Sequence, residues 1–571
     1  MHIHVVPNRG SRPAVLLRES YREGTQVKKR TLANLSSLPM EKVELIRRVL
    51  NGVALAPVET LFDVTASFLH GHGQAVLTAM QRLRVGALLS SRPCRERNLV
   101  LGMIAARILE PQSKLATTRW WHTTTLPEAL GIADAAEDDL YVAMDWLLDQ
   151  QPRIETALAA RHLEQGGLIL YDLSSSYFEG TTCPLAARGY NRDGKKGTLQ
   201  VNYGLLTDDR GCPVAVSVHA GNTNDPKTLL PEVQQIRERF GIRDLVLVGD
   251  RGMIGQKQID ALAKTDHVGW ITALKTGAIR QLMAGGHLQM GLFDERNLFE
   301  LTHPDVPGER LVACRNPELG RLRAATRRSL LEATTTELEK VRTMVARGRH
   351  KTLKTTDEIG VRVGRVVNKY KVAKHFRLDI GDGRFAFSVD EAHVAAEAAL
   401  DGIYVIRTNL PNERLSADDT VRSYKLLSNV ERAFRSLKTL DLKVRPIRHR
   451  LENRVRAHIF LCMLAYYVQW HLLETWRELL FSDEDLDAKK TRDPVAPAQR
   501  SPAALRKVRA HVLDDGSQAH SFQTLLTELS TIVRNVCRRK DAAEGEPTFS
   551  VTTTPNAKQQ RALDLASAIR V

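Results

Sequence analysis

The rhythm of apolar and polar positions changes several times along the chain. Residues 1 to about 38 alternate in short segments (HIHVV, AVLLRESY, TQVKKRTLANL), with turn chemistry at Asn8-Arg9-Gly10 and Glu23-Gly24. That pattern predicts a β-rich start. From Glu41 to about Gln165 the period becomes helical. Leu99, Gly102, Met103, Ala106 and Ile108 form one apolar stripe that Pro111 ends, and a later amphipathic helix runs through Trp146 and Leu148. An all-α region of this size suits a helix-turn-helix DNA reader and equally a plain helical bundle.

At Gly167 the character shifts. Leu168 to Tyr171 is an unbroken apolar run ending on a carboxylate, Asp172, which predicts a strand covered on both faces. A basic glycine-bearing loop follows from Arg188 (RGYNRDGKKG), then TLQVNYGLLT and CPVAVSVHAG, joined by Asp208-Asp209-Arg210-Gly211 as a hairpin. Asp225-Pro226 opens a helix that Gly241 closes. A second buried strand, Asp244 to Gly249, also ends on a carboxylate, Asp250; a short helix through Ile259 and Leu262 leads to a strand from Trp270 to Leu274. This order describes an α/β fold with a mixed sheet and packed helices. Gly277 to about Asp401 interrupts it with a basic helical stretch from Arg321 to Lys351 and β-like pieces, VRVGRVV and RFAFSV. The strand from Gly402 to Asn409 returns to the sheet, a helical run spans Ser416 to Leu440, and an apolar helix fills 451–480. The expected division is 1–40 (β-rich), 41–165 (helical, DNA-binding), 166–276 (first part of the core), 277–401 (insertion), 402–480 (second part of the core) and 481–571 (linker and helical tail, loose from Lys540).

Composition adds one strong constraint. Apolar (43%) and charged (26%) content are ordinary, but the net charge is +16, which predicts a polyanionic partner, nucleic acid ahead of a membrane surface. No apolar run approaches the ~20 residues of a membrane span, and the N-terminus lacks the pattern of a signal peptide. Six dispersed cysteines without a C-x-x-C pair suit a reduced, cytoplasmic chain without structural zinc.

Two strand-end carboxylates make a constellation, because open α/β sheets build sites at that edge. A buried Asp172 needs compensation by structural hydrogen bonds or by a cation. If Asp172 and Asp250 are neighbours, one must hold a proton or a divalent cation must lie between them, and hard oxygen donors favour Mg²⁺ or Mn²⁺. A third acid comes from the helix after the insertion. Tyr424, Glu431 and Lys438 are spaced seven apart and Arg435 follows Glu431 by four, so all four are expected on nearly one face. Residues 421–460 carry eleven Lys/Arg against three Asp/Glu, a field suited to DNA phosphates. The competing reading of Glu431 is a capping box with Ser428. Arg251 is a candidate phosphate clamp. The loop with Arg192, Lys195 and Lys196 is a candidate DNA contact, and Lys28, Lys29 and Arg30 form either a solvated edge or a phosphate contact. Asn222, Asn224 and Asp225 are expected to build a turn and cap, and His458 to be a buried, satisfied histidine.

These residues resemble the DDE transposases of bacterial insertion sequences, in the group with a ribonuclease H-like core, a β-rich insertion before the final Glu, and a Tyr–Arg–Glu–Lys signature. Tyr424, Glu431 and Lys438 match that signature; its arginine position holds Leu427, with Arg435 or Lys425 as substitutes. YDLSSSYFEG, GNTNDPKT and LVLVGDRGM resemble the blocks around the first two aspartates, and the likeness spans about 165–475. The resemblance implies that Asp172, Asp250 and Glu431 are catalytic and coordinate two Mg²⁺ (or Mn²⁺) ions. It also implies cleavage at terminal inverted repeats, strand transfer to target DNA, and a homodimer assembled on DNA in the bacterial cytoplasm. The alternatives are a metal-dependent nuclease without strand transfer and an inactive DNA-binding repressor.

Overall fold

The computed structural model describes residues 1–53, 61–293, 296–347, 353–540 and 546–570. The chain forms two compact units, one of residues 1–68 with 533–553 and one of 69–532 with 554–571.

In the smaller unit the three expected strands are present as His2–Val6, Ala14–Glu23 and Gln26–Asn34, antiparallel in that order. Helix Met40–Leu50 follows. The strand Phe62–Leu69 lies within a region expected to be helical. It joins a three-stranded sheet with Val533–Arg539 and Phe549–Thr552, so its partners are supplied from the far end of the chain, out of reach of any local pattern.

The larger unit is built on an eight-stranded mixed sheet. Its order is Leu298–Leu301, Arg310–Arg315, Ile403–Thr408, Val268–Ala273, Leu245–Val248, Leu168–Tyr177, Gln200–Thr207, Pro213–Ala220. Leu245–Val248 pairs in parallel with Val268–Ala273 and with Leu168–Tyr177, and the other described pairings are antiparallel. The sequence-predicted order of strand, hairpin, helix, strand, helix, strand is realised, with helices Pro226–Glu238 and Gln256–Leu262 between the strands. The apolar helix Glu452–Thr475, buried along most of its length, packs against strand Pro213–Ala220 and helices Arg95–Leu109 and Glu137–His162. One continuous hydrophobic core thus joins the helical region to the sheet.

The insertion is more helical than expected. Its first strands, Leu298–Leu301 and Arg310–Arg315, extend the main sheet. The remainder contains helices Pro317–Ala346 and Thr356–Lys369 and one hairpin, Phe376–Gly381 with Arg384–Val389. It has its own core around Leu338, Ile359, Val363, Phe376 and Phe385. The segment VRVGRVV, expected as β, lies in helix Thr356–Lys369. Ile359, Val363, Val366 and Val367 are its buried face, a helical spacing that the local alternation of valines concealed, and a Thr355–Glu358 capping box fixes its start. Residues 348–351 of the expected basic helical stretch lie outside the described residues.

The C-terminal region is not a loose tail. Leu525, Leu529, Ala562 and Ala566 enter the main core, and the buried Trp476 donates its indole N–H to Ala562 O at 2.9 Å. Residues 541–545 lie outside the described ones.

Candidate active site

Leu170 pairs with Val248 in parallel register. Asp172 and Asp250 each follow two residues later, so the alternation of side chains brings both carboxylates to the same side of adjacent strands. Asp172 does not end its strand, as the sequence suggested. The strand continues to Tyr177 against Gln200–Thr207, and what stops before Asp172 is the parallel ladder. The three serines that follow Leu173, Ser174 to Ser176, are buried strand residues. Asp172 is partly buried, and its carboxyl is pushed up to about 7, first by burial and then by the charge of Asp250. Asp172 Oδ1 accepts the Leu173 N–H at 2.8 Å. Asp250 Oδ1 accepts the N–H groups of Gly252 (3.0 Å) and Met253 (2.8 Å).

Glu431 comes from helix Leu427–Arg435, which packs against the Asp172 strand through Val430, Ala433 and Phe434 and leaves Glu431 exposed. Phe434 meets Tyr203 edge-on at 5.8 Å. The helix is also held to the hairpin turn: Asn429 donates to Asp209 O at 3.1 Å, and a Cβ on Gly211, whose φ is +88°, would lie 2.8 Å from the Asn429 Cβ. Ser428 lies inside this helix and no side chain caps its start, so Glu431 does not serve a capping box.

Asp250, Arg251, Tyr424 and Glu431 line one cleft of about 950 Å³, to which Arg323 and Arg327 of the insertion helix also contribute. The Tyr424 phenol is pushed up to about 12, first by burial and then by Asp250, with Glu431 and Asp172 adding to the shift and Arg251 opposing it. All three acids therefore act on one phenol.

The cations fare differently. Lys438 does not project beside Glu431. The chain passes into a π-helix at Ser436–Leu440, which rotates the following side chains off the α-helical register. Lys438 is buried with its ammonium 3.1 Å from Asp193, and burial lowers its pKa. Arg445 pairs with the same carboxylate, whose Oδ2 accepts the Tyr177 N–H at 2.9 Å. Arg192 donates to both oxygens of Asp225 at 2.6 Å, and its charge favours ionised Asp172 while that of Asp225 opposes it. Asp225 therefore holds Arg192, and its side chain does not cap the helix it precedes. Arg251, Arg435 and Lys196 are exposed, and the Lys195 ammonium lies 3.6 Å from the centroid of the Tyr177 ring. Lys425 donates to Pro494 O, away from the acids. Leu427, in the signature's arginine position, packs on the main core. In the smaller unit Lys28 pairs with Glu23 and Arg30 with Glu19, while Lys29 is exposed. The basic field of 421–460 is thinner than its composition suggested, because Arg422, Lys438, Arg445, Arg448, Arg454 and Arg456 all have carboxylate partners.

Sequence reasoning missed Asp193 and Asp225 as partners of these cations. A single acid inside the basic loop RGYNRDGKKG was the available signal for the first. The acids fit a divalent cation. Asp172 and Asp250 repel each other, and among the described residues no hydrogen bond reaches Asp172 Oδ2, Asp250 Oδ2 or either oxygen of Glu431. The donors are all hard oxygens, as Mg²⁺ or Mn²⁺ prefers.

Comparison with known families gives two matches. Residues 167–468, more than half of the chain, match the family described as the transposase DDE domain. Residues 3–57 match the N-terminal domain of IS1634 family transposases. The chain belongs to the DDE transposases of insertion sequences. The transposase is thus an enzyme acting on DNA, of a kind that works with divalent metal ions, and its mixed sheet with flanking helices is consistent with a ribonuclease H-like core. A search of curated protein sequences gives no match. Among solved structures, a piggyBac transposase synaptic complex with hairpin DNA is similar over 80% of this chain and 79% of that one, at 7% identity and a TM-score of 0.35, a likeness on which nothing further is built. Among the described residues no helix is long and apolar enough to cross a membrane.

Proposed function

We propose that Asp172, Asp250 and Glu431 hold two Mg²⁺ or Mn²⁺ ions, and that the transposase uses them to cut DNA at the ends of its element and to join the freed 3′-hydroxyl to target DNA. The observation that carries this reading is convergence: Asp250 and Glu431 line one cleft with Tyr424, and the parallel register sets Asp172 beside Asp250. When bound there, divalent ions supply activation of the attacking oxygen and stabilisation of the leaving one in an in-line displacement.

The protein's own groups bind and orient. Arg251, exposed beside Asp250, neutralises a non-bridging phosphate oxygen. Tyr424, kept protonated first by its burial and then by the acids around it, remains a hydrogen-bond donor throughout. Arg192, locked by Asp225, offsets part of the negative charge at Asp172. Arg435, Lys195 and Lys196 follow the backbone of the bound duplex. The ligand specific to the enzyme is the terminal inverted repeat, and two copies assemble on paired ends in the bacterial cytoplasm, at the nucleoid.

The test is cleavage and strand transfer on an end-containing duplex with Mg²⁺, using Asp172→Asn, Asp250→Asn and Glu431→Gln. Each substitution is expected to abolish both reactions while leaving duplex binding in place. Intact cutting by any of them removes that residue from the site. Cutting without joining to target DNA reduces the enzyme to a nuclease.

A further inference from the structure

Away from the acids, the larger unit encloses a cavity of about 310 Å³ between the end of helix Arg95–Leu109, the segment that follows it, and the segment Lys443–His449. Its wall carries five cationic side chains, Arg107, Lys114, Lys443, Arg445 and Arg448. Two imidazoles, His449 and His458, complete it, their ring centroids 4.9 Å apart and their planes tilted by 52°, and among the described residues no carboxylate lines it. Arg445 and Arg448 have acidic partners beyond the wall, Asp193 and Glu179. Arg107 and Lys114 differ. Both are more than nine-tenths buried. Among the described residues Arg107 reaches only backbone carbonyls, Gln112 O at 3.3 Å and Leu442 O at 3.5 Å, and no carboxylate pairs with Lys114. His458 is equally buried, and among the described residues its Nδ1 has no hydrogen-bond partner.

Buried cations without counter-charge are strongly unfavourable unless something compensates them. We propose that this cavity is a binding site for a phosphate-type oxyanion, held by Lys114 and Arg107 from within and by Lys443 at the rim. The proposal does not depend on the three-acid reading. Its charge and donor set fit a tetrahedral anion accepting several charge-assisted hydrogen bonds, and its volume lies at the low end of ligand pockets. The crowding of positive charge shows in its bases. Burial, then Arg107, lowers the Lys114 ammonium to about 7, and burial, then Lys114, lowers His449 to about 3. The anion has two possible sources, a backbone phosphate of bound DNA or a free phosphate group. The first is within reach of the proposed DNA path, because Arg445 of the wall also grips Asp193 in the loop that holds Lys195 and Lys196.

The experiment uses the full chain without metal and reads its thermal midpoint against inorganic phosphate, for the native protein, Lys114→Met and Lys443→Gln. The native midpoint is expected to rise with phosphate. Lys114→Met removes a buried charge without removing bulk, so it should melt higher than the native protein without phosphate and lose the phosphate-dependent rise. Lys443→Gln, at an exposed position, should fold normally and weaken phosphate binding about tenfold. An unresponsive native protein, or the same rise in all three, overturns the proposal. A duplex-binding titration in Ca²⁺ then separates the sources. If DNA fills the cavity, Lys114→Met lowers the salt slope of duplex binding by about one and phosphate competes with DNA. If duplex binding is unchanged while the phosphate response is lost, the site takes a free phosphate group. Glu431→Gln should keep the phosphate response and lose cutting, so failure of one reading leaves the other standing.

Discussion

The acid cleft and the basic cavity are opposite in sign and alike in logic. In one, Asp172 and Asp250 repel each other and Glu431 lines the cleft beside Asp250. In the other, Arg107 and Lys114 are buried with no carboxylate among the described residues that line the cavity. Elsewhere the protein neutralises its buried charges carefully: Arg407 with Glu309 at 2.6 Å and Lys438 with Asp193 at 3.1 Å. The contrast teaches that unpaired charge in a buried setting, more than charge density, points to a ligand site. The field of 421–460 has the higher density, yet much of it is already paired within the chain.

The largest effect that could break this comparison is loss of chemistry without loss of binding. Glu431→Gln is expected to lower the cleavage rate by roughly 10³-fold or more, measured on an end-containing duplex, with its duplex affinity close to native. Exposed Glu431 carries little of the fold, so a large stability change would place it in a structural role instead.

The next effect is one of pH. The folded-state pKa of Asp172 is about 7, above the 3.8 of an ordinary aspartate. The unfolded chain therefore gives up this proton near pH 4, while the metal-free fold keeps it until about 7. The stabilising contribution of the protonated group is present at low pH and is lost as pH rises through that window. In EDTA the thermal midpoint should thus carry a fall between about pH 4 and 7 that Asp172→Asn removes. Mg²⁺ should raise the native midpoint more at pH 8 than at pH 6, because the proton and the cation compete for the same carboxylate.

A smaller effect sharpens the difference between paired and unpaired cations. Lys438→Met leaves buried Asp193 with only Arg445 as its cationic partner and should destabilise the protein by about 1–3 kcal/mol, read by urea unfolding. Arg435→Gln, at an exposed position, should leave stability within about 0.5 kcal/mol and weaken duplex binding instead, lowering its salt slope by about one. The smallest effect is expected for Lys196→Gln, a change of similar kind confined to salt dependence. The reverse outcome for the Lys438 and Arg435 pair would restore Lys438 as a DNA contact.

The strands that carry Asp172 and Asp250 were legible because each is an unbroken apolar run ending on a charge, a pattern that local residues determine. The helix with Glu431 was also legible, although its face was misjudged: the seven-residue spacing assumed a regular α-helix, and Ser436–Leu440 winds as a π-helix. What escaped the sequence depends on partners far along the chain. Lys438 meets Asp193 across 245 positions, strand Phe62–Leu69 finds its sheet among residues beyond 532, and Trp476 bonds Ala562. Arg107 and Lys114 carry no signal in the sequence, because no periodicity reveals that Lys443–His449 will close over them.

The account stands most directly on where metal binds. Crystals of the protein soaked in Mn²⁺, with the anomalous signal of the metal recorded, should show density shared by Asp172, Asp250 and Glu431. Anomalous density elsewhere, or density that leaves Glu431 outside the coordination shell, would contradict the three-acid site.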